Sequence, residues 1–585
     1  MPRRHPVAFT TLLAAVLHVV WFFALANSGG DLAAQDAWAE FVGRHPDSAY
    51  NLAWYGGMHP VSYSVVSPYL MSLLGVRTTM MAAGTVSAGL LTLVLCRCRG
   101  AVRNPLPPAL AGVFALFGNA LSGRVTFGLG VMFALGAVAA VFCWPRKWSR
   151  NRWGKAAAAA PLAGLATAAS PVAGLFLGIV AAALFLSGRR PGAYAIGLPP
   201  VVVVGLSAWL FPFSGTQPLS LGSASLPFLF GALVFLLVPR DWTTVRVAAA
   251  VYALGVLLCW LVDSQIGSNV TRFAMLFAGV VLLAALPYAA PRSRRWYALL
   301  LAFAGLNSWI AVNSVSDIVR TTPKAAWARE LSPLVDRLQR VGAERGRVEV
   351  VPVGSHRESS ALAPYVNLAR GWNRQADLER NPLFYDDTLD AVNYREWLDR
   401  WAVHWVVLPQ DTPDSGGERE AALIRRGLPY LEKVWGDANW QLFRVSAPTP
   451  LADPPATVRR ADAGEVVVEV ARAGRVLLRV PYSPWLGLVD AEGKAVVAPR
   501  ETAASQAAGT DPKEYENVAG CLLSTPRDAV GDEWTVLLAP RPGEYRLAAK
   551  YRLPRGTPCP EEMLGNDSAT GPGGTGRGGG VEADR

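Results

Sequence analysis

The segment Gly29–Leu70 carries many reactive side chains for a stretch that lies between two apolar runs. It contains four acidic residues and two histidines, among them Asp31, Asp36 and His59. Carboxylates and imidazoles can move protons, and an imidazole can also contact a phosphate group. These three residues are therefore candidates for acid–base chemistry. Simpler roles stay open, since Asp31 can cap a helix that begins after Gly29-Gly30 and His59 can serve as a structural hydrogen-bond partner.

The same segment is rich in aromatic residues, and Trp54, Tyr55 and Tyr63 are candidates for substrate contacts. Flat amphipathic rings stack on the faces of sugars while their polar ends form hydrogen bonds. Tryptophan and tyrosine are equally typical of a membrane–water interface. Both interpretations are compatible with the pattern.

Three further candidates lie at the ends of later apolar runs. Asn269 and Arg272 belong to the stretch VDSQIGSNVTRF, and Arg124 belongs to LSGRVTFGLG. A guanidinium at this position can form charge-assisted, bidentate contacts with a lipid-linked phosphate. A cation at the edge of a bilayer is otherwise a snorkelling anchor.

The periodicity of Asp31–Arg44 predicts an amphipathic helix. Asp36, Glu40 and Arg44 share one face, which predicts a solvated surface with an ion pair. The apolar face, with Trp38 as an anchor, predicts a helix that lies at the membrane interface.

These residues must be positioned by a long series of apolar runs that ends near Ser316. Mean hydropathy of the 585 residues is +0.25, and 52% of them are hydrophobic. Because a bilayer span needs about 20 apolar residues, we predict eleven transmembrane helices: Pro6–Ala26, Thr78–Cys96, Pro107–Ser122, Val125–Trp144, Ala156–Ala169, Val172–Ser187, Ala193–Pro212, Ser225–Val238, Val245–Val262, Phe273–Ala289 and Trp296–Val312.

Charge is divided unevenly between the two parts of the chain. Residues 1–316 contain 21 basic and 6 acidic residues, whereas residues 317–585 contain 34 and 38. The basic clusters fall on one side of the predicted helices, which the positive-inside rule assigns to the cytoplasm. The pattern predicts a multi-pass plasma-membrane protein with a cytoplasmic N-terminus and an extracytoplasmic C-terminal part. It does not favour nucleic acid as a partner. The first run also resembles a signal peptide, although its length favours an uncleaved helix.

We expect four regions along the chain. Residues 1–314 form a transmembrane domain with a large loop at 27–77, and residues 315–446 form an α/β domain. Residues 447–560 alternate in the manner of a β-sandwich, and the composition of 561–585 predicts disorder. Cys521 and Cys559 in the exported part either form a disulfide or remain free.

No metal-binding motif such as HExxH or a CxxC pair is present, nor is a nucleotide-binding loop. The sequence therefore predicts no cofactor, although a divalent metal without a motif stays open.

Several stretches resemble the GT-C superfamily of glycosyltransferases that use polyprenyl-phosphate sugars, in particular its actinobacterial members. GGDLAAQDAW resembles the position of the family's catalytic acid, and LSGRVTFGLG and ATAASPVAGLFLG resemble parts of its membrane core. GWNRQADLERNPLFYDD, YREWLDRWAVHWVVLP and YLEKVWGDANWQLFRV resemble its juxtamembrane domain. The acidic pair of many relatives is absent, because Asp31 is followed by Leu32. Which acid is the base, and whether a metal is used, therefore stays open.

The resemblance implies a membrane enzyme that moves a sugar from a polyprenyl phosphate to a cell-envelope glycan or lipid-linked acceptor. Asp31, or failing it Asp36, would take the proton of the acceptor hydroxyl. Arg272, with Arg124 or His59, would stabilise the phosphate that leaves. The alternatives are a multi-pass transporter, which predicts a water-filled central path, and a non-catalytic envelope scaffold.

Overall fold

The computed structural model describes residues 4–26, 29–98, 101–144, 152–213, 215–321, 331–496 and 520–559. The chain forms two compact units, Met1–Leu451 with Arg460–Glu465, and Ala452–Arg459 with Val466–Arg585. The domain limits predicted at 314, 446 and 560 stay predictions. The predicted tail, 561–585, lies outside the described residues.

Long apolar helices make up the first part of the first unit, and each predicted span overlaps one of them. They are α1 (Pro6–Val20), α4 (Val76–Arg97), α5 (Leu106–Leu121), α6 (Val125–Phe142), α7 (Arg152–Ala169), α8 (Pro171–Leu186), α9 (Arg190–Leu210), α10 (Leu221–Leu237), α11 (Thr243–Leu261), α12 (Thr271–Ala285) and α13 (Arg294–Thr321). Seven helical segments among the described residues are long and apolar enough to cross a membrane, and α5, α8 and α10 are shorter apolar helices. The exact count of eleven transmembrane helices stays a prediction.

Small residues let these helices approach one another closely. A Cβ atom added to Gly130 in α6 would lie only 2.8 Å from the Cβ atom of Ala173 and 2.9 Å from that of Ser170. Such contacts between small side chains are typical of helices that pack within a membrane.

The loop after α1 folds into α2 (Asp31–Arg44) and α3 (Ser67–Leu74). The predicted limits of α2 are confirmed, and Glu40 and Arg44 form the expected ion pair. The predicted role of Trp38 as an anchor in the membrane interface is wrong. Trp38 is only 5% exposed and packs 4.8 Å from the ring of Tyr63. Most of the apolar residues of α2 are buried against other parts of the protein.

An α/β layer follows α13 within the same unit. Its sheet contains β1 (Arg347–Val350), β2 (Val403–Pro409), β3 (Leu431–Gly436) and β4 (Trp440–Val445) in the order β1-β2-β4-β3. Strands β1 and β2 are parallel, and the other two pairs are antiparallel. The helices are α14 (Ser332–Arg340), α15 (Arg357–Leu362), α16 (Arg374–Arg380), α17 (Ala391–Arg400) and α18 (Glu418–Arg426).

The second unit is rich in β-strands, as predicted. The strands are β5 (Ala456–Ala461), β6 (Glu465–Val470), β7 (Gly474–Pro481), β8 (Gly487–Val489), β9 (Cys521–Ser524), β10 (Trp534–Ala539) and β11 (Gly543–Ala548). They form one sheet in the order β7-β10-β9 and another in the order β5-β6-β11-β8. Cys521 and Cys559 form a disulfide, which decides between the two alternatives left open by the sequence.

Candidate functional site

Two cavities meet at the beginning of α2. The large cavity has a volume of about 670 Å³ and the small cavity about 110 Å³. Asp31, Trp372 and Arg374 line both. The large cavity extends between the α5–α6 turn, the end of α13 and the loops before α15 and α18, while the small cavity extends toward the beginning of α12.

Asp31 is held at this junction by its backbone, and its carboxylate stays accessible. Gly30 adopts a positive φ of 62°, which favours glycine, and its N–H donates to the carbonyl of Ser355 at 2.7 Å. Asp31 is the first helical residue, and no side-chain hydrogen bond caps the helix. The side chain of Asp31 is 40% exposed, so the carboxylate can reach a molecule in either cavity.

Arg124 links two carboxylates at the wall of the large cavity. Its Nε lies 3.5 Å from Oδ2 of Asp31, and its Nη2 lies 3.4 Å from Oδ2 of Asp317. Asp317 also accepts a hydrogen bond of 2.8 Å from the hydroxyl of Ser122. The guanidinium therefore fixes the distance between α2 and the end of α13.

Gln35 joins α2 to the α5–α6 turn. Its Nε2 donates to the carbonyls of Asp31 at 2.8 Å and Gly123 at 2.7 Å, and its Oε1 accepts from the N–H of Thr126 at 3.0 Å. Gly123 has a φ of 68°, and a Cβ there would lie 2.8 Å from Cγ of Leu32. We call the hydrogen bonds of the Gln35 side chain to Gly123 and Thr126 the clamp. The clamp and the close contact between Gly123 and Leu32 position Asp31 next to Arg124.

Arg272 projects into the small cavity from the first turn of α12. It lies over the ring of Phe127, 5.2 Å from the centroid, and it is hydrogen-bonded to Tyr63. Burial raises the pKa of Tyr63, so this phenol stays protonated and can donate. Asn269 and Gln217 line the same cavity. The small cavity thus offers two guanidiniums, those of Arg272 and Arg374, and several neutral polar groups.

The structure brings together Asp31, Arg124, Asn269, Arg272 and Tyr63 among the predicted site residues. Each of them lines one or both cavities. The sequence placed them on three separate stretches, and the fold places them around one junction.

Trp54, Tyr55 and His59 lie elsewhere, which corrects their prediction as candidate site residues. Trp54 and Tyr55 are at most 1% exposed and belong to the core beneath β1 and β2. The Tyr55 hydroxyl is hydrogen-bonded to the backbone of Gly371 and Asn373. The large rings are buried because the first loop supplies part of the α/β core.

His59 is buried as well, and its Nδ1 is 2.8 Å from the carbonyl of Ala49. Burial is the main cause that lowers its pKa to about 4. The ring is therefore neutral near pH 7 and cannot supply the positive charge that a phosphate contact favours. His59 is not among the residues that line the large or the small cavity.

Asp36 is engaged in a bidentate ion pair. Nη1 and Nη2 of Arg77 donate to its two carboxylate oxygens at 3.0 and 3.1 Å. Asp36 is not a lining residue of either cavity. Asp31, by contrast, lines both cavities.

Sequence reasoning missed Asp317, His356, Trp372 and Arg374, which line the large cavity. Signals existed for three of them. An acid at the end of an apolar helix such as α13 is a functional hint, and Trp372 and Arg374 belong to the GWNRQADLERNP stretch. No local pattern identifies His356.

His356 and Trp372 form a stacked pair at the wall of the large cavity. Their ring centroids are 3.3 Å apart and the planes are inclined by 9°. Burial, assisted by the charges of Arg374 and Arg370, lowers the pKa of His356 to about 3, so the ring is neutral. Within the described ranges, no three His, Cys, Asp or Glu side chains are grouped so as to hold a metal ion.

Comparisons with known proteins match one family model over part of the chain and 11 chains of solved structures. The family described as "Domain of unknown function (DUF8823)" matches residues 453–564, and no curated protein matches the chain. A structure of arabinofuranosyltransferase AftD from mycobacteria is similar at 13% identity with a TM-score of 0.43. The match covers 80% of this chain and 43% of the AftD chain. A structure of arabinosyltransferase EmbB from Mycobacterium smegmatis is similar at 11% identity with a TM-score of 0.30. The match covers 94% of this chain and 63% of the EmbB chain. The chain spans less than two thirds of either protein. Both names denote the enzyme class that the sequence resemblance implies, and at these TM-scores neither match carries an inference.

Proposed function

We propose that this chain is a membrane glycosyltransferase that moves a sugar from a polyprenyl phosphate to a cell-envelope glycan or lipid-linked acceptor on the outer face of the membrane. One observation carries the proposal. An accessible carboxylate, Asp31, lies where a small cavity with two guanidiniums opens into a much larger polar cavity. A phosphate-bearing donor and a hydroxyl-bearing acceptor can meet there.

The small cavity suits the phosphate of the donor. Arg272 and Arg374 can form charge-assisted hydrogen bonds with its oxygens, and Asn269 and Gln217 can donate further bonds. Arg272 also stacks on Phe127 and is bonded to Tyr63, so it is held in place before a ligand binds. Such preorganised donors stabilise the charge that develops on a leaving phosphate.

An apolar cavity of about 220 Å³ suits the lipid of the donor. It lies between α8, α10, α11 and α12 and is lined by residues such as Phe230, Tyr252 and Phe273. Phe273 is linked to the phosphate site by ring contacts, because it packs on Phe176, which packs on Phe127, the ring beneath Arg272. A polyprenyl chain whose phosphate contacts Arg272 can place its first units there.

The transfer is a single displacement at the anomeric carbon. Asp31 takes the proton of the acceptor hydroxyl, and the oxygen forms a bond to the anomeric carbon. The bond between that carbon and the phosphate oxygen breaks, and the polyprenyl phosphate leaves with the electron pair. Arg124 and Asp317 act as positioning residues, because they orient Asp31 through the ion pair.

The experiment measures transfer of radiolabelled sugar from a panel of polyprenyl-phosphate donors in membranes that contain the wild type or a variant. Asp31→Asn is expected to lower the rate by about 10²- to 10⁴-fold, the usual effect of losing a general base. Asp36→Asn is the matched control, because it removes a carboxylate of the same helix outside the cavities, and its rate is expected to stay within a few fold.

A wild type that transfers sugar from no donor would refute the enzyme function. Loss of transfer in Asp36→Asn alone would support the glycosyltransferase function but assign the role of general base to Asp36.

A further inference from the structure

Two groups of carboxylates line the walls of the large cavity. The first group consists of Asp31 and Asp317, which share Arg124. The second group belongs to the segment 411–418, which contributes Asp411, Asp414 and Glu418 to the lining.

Acidic groups outnumber basic groups around this cavity. Its described lining residues include five carboxylates and two guanidiniums, those of Arg124 and Arg374. His356 adds no charge, because burial lowers its pKa to about 3. Burial raises the pKa of Asp414, yet Asp411 and Glu418 remain beside it on the loop. The small cavity has the opposite balance, with Arg272 and Arg374 facing Asp31.

Trp372 is a stacking surface at the junction of the two cavities. His356 covers one face of its ring at 3.3 Å, and the tryptophan is half-buried. The exposed part must therefore be the other face or an edge, and Trp372 lines both cavities. Aromatic faces of this kind pack against the C–H faces of sugar rings.

His356 supplies a second sign of a ligand. It is only 7% exposed, it lines the large cavity, and its Nδ1 has no hydrogen-bond partner among the described residues. Its backbone has a positive φ of 53°, which is uncommon for a residue other than glycine. Buried polar atoms are usually paired, and strained backbone of this kind clusters at ligand sites.

We propose that the large cavity is the acceptor subsite, and that it takes an uncharged glycan that stacks on Trp372 and donates its hydroxyls to the carboxylates of the 411–418 loop. This inference rests on the proposed function. The volume of about 670 Å³ falls within the range of about 300–1,000 Å³ that is typical of ligand pockets. A glycan that carries carboxylates or phosphates would meet like charge from both groups of carboxylates.

The test compares two acceptors in the transfer assay. The probes are the octyl glycosides of a panel of neutral disaccharides and, for each, the same disaccharide with one primary alcohol oxidised to the uronic acid. The quantity measured is the ratio of kcat/KM for the neutral over the anionic acceptor. This ratio does not depend on the fraction of folded protein in a preparation.

We expect the wild type to prefer the neutral acceptor by at least 10-fold. The double variant Asp411→Asn/Glu418→Gln is expected to lower this ratio by at least 3-fold. Glu379→Gln, which alters an exposed acid of α16 outside both cavities, is the matched control and should leave the ratio unchanged.

Trp372 gives a second measurement. Trp372→Ala is expected to raise the KM for the neutral acceptor by about 3- to 10-fold, and Trp372→Phe to restore most of the affinity, because a phenyl ring still stacks.

A preference for the anionic acceptor in the wild type would overturn the inference. So would an unchanged ratio in the double variant. Hydrolysis of the donor by water in the absence of acceptor separates the two proposals. Donor cleavage without the expected acceptor preference refutes the subsite only, while absence of both cleavage and transfer refutes the glycosyltransferase function itself.

Discussion

Replacing Gln35 with methionine tests whether the site depends on the clamp between α2 and the α5–α6 turn. Methionine fills a similar volume but makes none of the three hydrogen bonds of the Gln35 side chain. The bond to the carbonyl of Asp31 lies within α2 and matters least. The other two join separate elements, so their loss decides the outcome.

The expected loss in free energy of unfolding depends on which hydrogen-bond partners the two backbone groups keep after the substitution. Thr126 is 2% exposed and is the second residue of α6, so its N–H has no partner within the helix once Gln35 is gone. The carbonyl of Gly123 still accepts from the N–H of Val125 at 3.0 Å and loses only one of its donors. A buried unsatisfied N–H costs about 1–3 kcal/mol and a lost hydrogen bond about 0.5–1.5 kcal/mol, which gives about 1.5–4.5 kcal/mol together.

The assay combines thermal unfolding in detergent with the sugar-transfer rate. We expect Gln35→Met to lower the midpoint of unfolding by several degrees. At a temperature where the protein stays folded, we expect the transfer rate to fall by about 10²-fold, because a shift of about 1 Å between reacting groups has that effect. Gln441→Met is the matched control. Gln441 is half-buried in β4, and its side chain makes no hydrogen bond to the part of the chain that the structure describes.

Equal midpoints for Gln35→Met and Gln441→Met would refute the energetic reasoning. A destabilised Gln35→Met protein that keeps the wild-type rate when folded would refute the positioning role.

Gly123→Ala is expected to destabilise the protein more than Gly188→Ala, which has a similar φ of 78° but open space around it. The difference in free energy of unfolding, about 1–3 kcal/mol, reports the clash with an α2 leucine, and equal losses would contradict it. Arg77→Met is expected to cost about 1–3 kcal/mol, because it leaves the mostly buried carboxylate of Asp36 without its bidentate partner. The transfer rate of Arg77→Met should stay within a few fold of the wild type, and a large loss would assign the Arg77–Asp36 pair a role in the reaction.

Burial raises the pKa of Glu420 in α18 to about 7, so the folded state holds this proton more tightly than the unfolded chain. The free energy of unfolding should therefore fall as pH rises from about 4.5 to 7. Glu420→Gln should flatten that slope, and parallel pH profiles of the two proteins would refute this origin.

Local sequence patterns predicted the elements well, because hydropathy and periodicity are properties of short stretches. The limits of α2 and the turn between α7 and α8 follow from the residues that form them. The predicted site residues on the edges of apolar helices, Arg124 and Arg272, also lie where their local context indicated.

The errors concern contacts between distant segments. Nothing near Asp36 in the sequence indicates that Arg77 engages it. The pattern of Trp54 and Tyr55 does not reveal that the sheet covering them begins almost 300 residues later. Conversely, His356 lines the large cavity because the α/β layer folds against the first loop. No local sequence pattern predicts this contact between distant segments.

The burial of Trp54 and Tyr55 in the α/β core has a consequence for the order of folding. Arg380 donates hydrogen bonds to the carbonyls of Tyr55 and Gly57, across sequence separations of 325 and 323 residues. At about 5–20 residues per second of synthesis, the loop waits on the order of 15–60 s for these partners while α4–α13 are made. Its large rings stay uncovered during that time, which makes the nascent loop a target for proteases and chaperones. A chain truncated after α13 would lose the strands that cover Trp54 and Tyr55, and with them the carbonyl of Ser355 that accepts from the N–H of Gly30.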